Sequence, residues 1–241
     1  MERAYHKWFS PALDRFMEML VFGHAGMPVI FFPTRSAHFY DFENWRVIDA
    51  MKHKIEAGEI QVYCVDSIDS ESFYSEAPPP HRIARHIRYE KYILEEVIPF
   101  IRIQNKSREL VAAGCSLGGY HAVNIALKHP EMFTKVVGMS ARYDLTQPLP
   151  YFADLFDGYF DEDIYFNMPN HFVPGISDPE LLKRLRELEI TLVIGREDSF
   201  LENNRHLSDS LHRIDVPHQF YIWEEEAHRP RYWREMVKIY L

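Results

Sequence analysis

Hydrophobic and polar positions alternate along this chain in two rhythms. Short, nearly unbroken apolar runs read as buried strands, and apolar residues at three- and four-residue spacing read as helices. Residues 4–9 and 16–22 predict two opening strands, antiparallel to each other. After the turn Gly23-His24-Ala25-Gly26, Pro28 to Phe32 is almost wholly apolar, as a central strand buried on both faces should be. Asp41 to Met51 predicts an amphipathic helix that stops near Gly58, and Ile60 to Val65 the next strand. Asp66 to Pro80 reads as a long surface loop, followed by a helix from about Arg82 to Ile101. On that helix Arg82, Arg85, Arg88 and Lys91 are interleaved with Glu90, Glu95 and Glu96, which reads as a solvated face.

Strand and helix keep alternating to the end. Strands are expected at 109–113, 135–140, 190–194 and 218–223, and helices at 120–127, 179–188, 200–213 and after His228. Residues 141–176 break the rhythm with aromatics among prolines, either as hydrophobic cover or as a substrate-facing cap. The pattern predicts an α/β fold, with a mostly parallel central sheet and helices on both faces. A single domain over 1–241, with 141–176 as its excursion, accounts for the whole chain. Functional groups should gather past the carboxyl ends of the strands.

One stretch carries chemistry. Gly114-Cys115-Ser116-Leu117-Gly118 is a G-x-S-x-G sequence between a predicted strand and a predicted helix, the context of a nucleophile elbow. Turning strand into helix within so few residues strains the serine backbone and crowds its neighbours, which glycine tolerates. The turn would point Ser116 outward and leave the amide of Leu117 facing a developing oxyanion.

A serine hydroxyl needs a base, and the base needs a carboxylate to orient it. Asp198 follows the strand ending at Ile194, and His228 follows the last strand, giving the order Ser, Asp, His. The chain has 13 histidines, so His228 stands out by position and not by type. Glu197 and Asp144 compete with Asp198 as the acid. Cys115 precedes the apex of the turn and points elsewhere.

Composition narrows the classes. A net charge of −9 argues against a nucleic-acid partner, since phosphate binding needs a concentrated basic surface. No apolar run approaches a membrane span, and the first residues show no signal-peptide core, so a cytoplasmic protein is the default expectation. Cys64 and Cys115 read as two reduced, buried thiols. Asn105-Lys106-Ser107 matches a glycosylation sequon, which has no meaning without secretion. No metal-binding spacing is present, so no metal is expected. Homo-oligomer formation stays open.

Gly23 to Val29, Gly114 to Tyr120, His129-Pro130-Glu131-Met132-Phe133, Gly195 to Asp198 and Ala227-His228 together resemble the "putative esterase" family of α/β-hydrolases, similar to esterase D, the feruloyl esterases and the mycolyltransferases. The resemblance implies a serine hydrolase for small-molecule carboxylic esters or thioesters, without cofactor, using Ser116, Asp198 and His228 through an acyl-enzyme. The same intermediate serves acyl transfer, and a scaffold with a weakened site would serve as a binding protein.

This sequence departs from the family in two places. Relatives carry His-Gly and further glycines after the early buried strand, where this chain has Pro33-Thr34-Arg35-Ser36-Ala37-His38. The second oxyanion amide must then come from Arg35 or Ser36. Arg229-Pro230-Arg231 adds positive charge after His228 and suggests an acidic acyl substrate. The aromatic excursion suggests an apolar acyl or aryl pocket, with Trp45, Tyr120, Tyr151 and Phe152 as candidate lining.

Overall fold

The structure is a computed structural model and describes residues 1–241. Its centre is an eight-stranded sheet in the order β1-β2-β4-β3-β5-β6-β7-β8. The strands are β1 (Arg3–Ser10), β2 (Arg15–Phe22), β3 (Met27–Phe32), β4 (Ile60–Val65), β5 (Val111–Cys115), β6 (Lys135–Met139), β7 (Glu189–Gly195) and β8 (Gln219–Trp223). β2 runs antiparallel to both β1 and β4, and every other pairing is parallel. The expected mostly parallel sheet is therefore present. β3, β4 and β5 are apolar on both faces because helices cover both faces. Alternate residues divide accordingly: Ile30 and Phe32 enter one core cluster, Val29 and Phe31 the other.

The helices are α1 (Asp41–Asn44), α2 (Val47–Ala50), α3 (Lys52–Glu56), α4 (Pro79–Tyr92), α5 (Ile98–Gln104), α6 (Leu117–Lys128), α7 (Glu162–Tyr165), α8 (Pro169–Phe172), α9 (Pro179–Glu187), α10 (Leu201–Arg213) and α11 (Pro230–Tyr240). The one amphipathic helix expected from Asp41 is instead three short pieces. Arg46 breaks it at φ +59°, and α11 claims the preceding carbonyl through Arg234 Nη1 to Trp45 O at 3.1 Å. The break resets the helical phase, so Phe42, Val47, Ile48, Met51 and Ile55 all reach the same core.

The long helix is continuous from α4 through a π-helical segment, Ile93–Val97, into α5. Arg88, Lys91 and Glu95 make the solvated face that the spacing suggests, but Arg82, Arg85, Glu90 and Glu96 turn to the protein. Arg82 donates to the carbonyls of Ala77 and Leu155, and Arg85 to Leu13 O and Glu71. Glu96 accepts from Trp8 Nε1, the Ser10 hydroxyl and the Ala12 amide, tying the helix to the first hairpin. Glu90 is buried between Lys128 and His129. Burial pushes its carboxyl up, but these partners outweigh burial and hold it down at about 2.

Residues 141–176 lie over the start of α6. Leu145, Phe156, Ile164 and Met168 form a third core cluster with Phe73, Ile83, Leu117 and Tyr120. Arg142 holds the first part of this segment, donating to the carbonyls of Asp144, Leu145, Gln147 and Ala153. Asn105 of the sequon is buried, donating to Gly26 O and Gln61 and accepting from the Ser107 amide. No helix is long and apolar enough to cross a membrane.

Candidate active site

β5 ends at Cys115 and α6 begins at Leu117, so Ser116 alone makes the turn. Its backbone sits at φ +54°, ψ −123°, a region that non-glycine residues avoid. The turn closes only because of the glycines around it. A Cβ on Gly114 would stand 2.2 Å from the carbonyl of Gly118, and one on Gly118 would stand 2.1 Å from Phe32 O. The elbow thus rests directly on the end of β3, where Phe32 is in register with Gly114.

His228 follows β8 and Asp198 follows β7, which places both at the same sheet edge as Ser116. His228 Nε2 is 3.0 Å from Ser116 Oγ, and His228 Nδ1 is 2.7 Å from Asp198 Oδ2. An ionised carboxylate only accepts, so Nδ1 carries the proton and Nε2 is left to accept from the serine hydroxyl. Asp198 is nearly sealed, and its other oxygen accepts the Phe200 amide at 2.9 Å. Its competitor Asp144 is committed elsewhere, to His171 Nε2 at 3.0 Å and to Thr146. Those partners outweigh burial and lower the Asp144 carboxyl. Glu197 makes no bond to His228. Cys115 is fully buried, and burial pushes its thiol well above the ordinary range, leaving it inert.

The His228 loop is tied down by a residue that no motif announces. Ser140, just past β6, donates to Ala227 O at 2.8 Å and accepts from Trp233 Nε1 at 3.2 Å. Phe200 and Trp233 flank the imidazole edge-on, with ring centroids 5.5 and 6.0 Å away.

The oxyanion candidates separate cleanly. The Leu117 amide donates to no protein acceptor, and neither does the Arg35 amide. Ser36 is corrected: its amide donates to Asp69 Oδ2 at 2.5 Å and is spent. Ser36 sits at φ +54°, which turns its N–H toward that buried carboxylate. The glycine-free loop still offers a free amide at Arg35, because a backbone donor needs no particular side chain.

Of the four expected lining residues, Phe152 packs on Phe200, 4.5 Å away by ring centroid, and Trp45 on Trp233, 6.1 Å away, so each reaches a ring that flanks His228. Tyr120 is corrected: it is completely buried and donates to Asn167 O at 2.7 Å, so it lines nothing open. Tyr151 is corrected in the opposite sense, since it is 98% exposed. The positive charge expected from Arg229 and Arg231 is largely offset, because Arg229 pairs with Glu226 and Arg231 with Glu225.

An eight-stranded sheet of this order, with a serine elbow past its central strand, defines an α/β-hydrolase. The profile of the esterase family described as "Putative esterase" matches residues 10–215, and the chain belongs to that family. It is a carboxylic ester hydrolase. Solved structures of similar fold include a ferulic acid esterase (20% identity, TM-score 0.78, covering 98% of this chain and 95% of that one). The fluorophosphonate-binding serine hydrolase F of Staphylococcus aureus is similar at 18% identity and TM-score 0.72, over 98% and 95% of the two chains. An S-formylglutathione hydrolase from Agrobacterium tumefaciens is similar at 16% identity and TM-score 0.74, over 98% and 91%. At these identities the likeness is one of fold. No curated protein matches the sequence.

Proposed function

We propose that Ser116, His228 and Asp198 are the catalytic triad of this esterase, working through an acyl-enzyme. The observation that carries the reading is the unbroken chain from Ser116 Oγ to His228 Nε2 and from Nδ1 to Asp198. Ser116 Oγ attacks the ester carbonyl carbon as its proton passes to His228 Nε2. The carbonyl oxygen becomes an oxyanion facing the Leu117 and Arg35 amides. Collapse breaks the bond to the alcohol, which leaves with the proton from Nε2 and leaves the acyl group on Ser116. Water then attacks that carbonyl, gives its proton to His228, and a second collapse frees the acid and restores the serine. Asp198 keeps the imidazole in the required tautomer and stabilises the imidazolium.

Residues 141–176 serve in this reading as a cap that brings Phe152 onto Phe200, the ring that flanks His228. A small-molecule ester with an apolar portion suits these walls.

Labelling with a fluorophosphonate probe tests the assignment. Wild-type protein should be labelled at Ser116 and lose activity with p-nitrophenyl acetate, and Ser116→Ala should do neither. Equal labelling of both proteins, or none of the wild type, would overturn it.

A further inference from the structure

Two guanidinium groups beside the elbow have no acid to pair with. Arg142 is buried to 5% exposure, yet forms no ion pair. Its Nε and Nη2 are spent on four carbonyl oxygens of the following segment. Its Nη1 donates to no group in the protein and is not fully sealed from solvent. Arg35, on the oxyanion loop, also lacks an ion pair and lies over the Tyr74 ring, 4.4 Å from its centroid. The Tyr74 hydroxyl, half-buried, has no hydrogen-bond partner either. Tyr74 packs against the cluster that contains Leu145, whose carbonyl accepts from Arg142 Nη2, so the three groups share one locality. Burial pushes the Tyr74 hydroxyl up, while the charges of Arg35 and Arg142 both pull it down.

That locality borders the reacting atoms. Tyr74 packs on the cluster that contains Leu117. Arg142 Cζ lies 6.0 Å from the centroid of Phe200, the ring that also flanks His228. The carboxylates nearby are held by their own donors. Asp69 accepts from Ser36 and Ser67, Asp144 from Thr146 and His171, and Asp154 from the amides of Phe156 and Gly158.

A buried cation left without a counter-ion is costly, and one whose free N–H groups reach solvent is poised to receive an anion. We infer that Arg142, Arg35 and Tyr74 form a carboxylate-binding subsite, so that the preferred substrates are esters carrying a free carboxylate. A carboxylate suits the Arg35 guanidinium, the one open nitrogen of Arg142 and a phenol, and it supplies the negative charge that both arginines lack. The inference rests on Ser116 acting as proposed above. It relocates to the oxyanion loop the acid preference that Arg229 and Arg231 suggested from sequence.

Binding separates this inference from catalysis. Calorimetry on Ser116→Ala would compare glutaric acid monoanilide with its methyl ester, which places the carboxylate on the acyl side. It would also compare 4-acetamidobenzoate with its methyl ester, which places it on the alcohol side. The carboxylate of at least one pair should bind roughly tenfold or more tightly, as charge-assisted hydrogen bonds do. Adding Arg35→Met or Tyr74→Phe should bring that ratio down toward one, and adding Arg142→Gln, if folded, should do the same. Equal affinity within both pairs, or a preference untouched by Arg35→Met and Tyr74→Phe, would overturn the subsite. Hydrolysis of mono-4-nitrophenyl glutarate by the wild type checks the mechanism separately. A carboxylate preference in binding with no turnover overturns the Ser116 mechanism and supports the subsite.

Discussion

The Ser140 hydroxyl donates to the carbonyl oxygen of Ala227, the residue that immediately precedes His228. The end of β6 thereby holds the loop of the base, and Trp233 completes the tie from α11. Ser140→Ala would leave a buried carbonyl and a buried indole N–H without partners, at a cost of about 1–3 kcal/mol. We expect a lower urea midpoint and a kcat reduced roughly tenfold with KM little changed, as for a loosened base. An unchanged kcat would show that His228 holds its place without this tie.

Asp198→Asn keeps the shape of the buried side chain but offers His228 a donor where it needs an acceptor. The imidazole would then turn its proton toward Ser116. A fall in kcat of about 10⁴ is expected, with folding retained. Steady-state hydrolysis of p-nitrophenyl butyrate measures it, and a loss under tenfold would point to another carboxylate.

The strained backbone of Ser116 gives a prediction about stability. Ser116→Gly removes the nucleophile and relieves the positive φ together. Ser116→Ala removes the nucleophile and keeps the strain. Both should be inactive, with the glycine variant more stable than the alanine variant by about 1 kcal/mol. Thermal unfolding distinguishes them, and equal melting temperatures would argue that the turn stores no strain.

Acid should weaken the fold well before the carboxylates titrate. His86 is sealed against Phe73 and Tyr120, and burial lowers it from 6.5 to about 4. Protonation therefore favours the unfolded chain. Stability is full above pH 6.5, falls as pH drops toward 4, and loses no more to this group below that, for a total of roughly 3 kcal/mol. His121, also buried and lowered, acts with the same sign. In His86→Phe the slope of unfolding free energy against pH across this window should be shallower. An identical slope would mean that His86 takes up its proton alike in both states and is not lowered by burial.

The chain's local patterns foretold most of the architecture and the three residues that meet at the sheet edge. Strand runs such as Val29 to Phe32 and the glycines of the elbow are short-range signals, set by neighbours in sequence. What stayed hidden depends on distant partners. Nothing near Ser36 reveals that Asp69, 33 residues on, takes its amide. Glu96 looks solvated until the first hairpin, more than 80 residues earlier, is laid against it. Tyr120 and Tyr151 are the same residue type in apolar surroundings, and only the tertiary fold makes one core and the other surface. Ser140, Arg142 and Phe200 carry no motif at all.

Gly118, pressed against the carbonyls of Phe32 and Pro33, has a mechanical consequence. The Arg35 and Leu117 amides follow the ends of β3 and β5, which are hydrogen-bonded neighbours in the middle of the sheet. Their separation is governed by the spacing of adjacent strands, about 4.8 Å. The span between the donors therefore inherits the stiffness of the sheet and owes little to the suppleness of a loop. A methyl group at Gly118 would act as a wedge between the two strand ends and spread the donors.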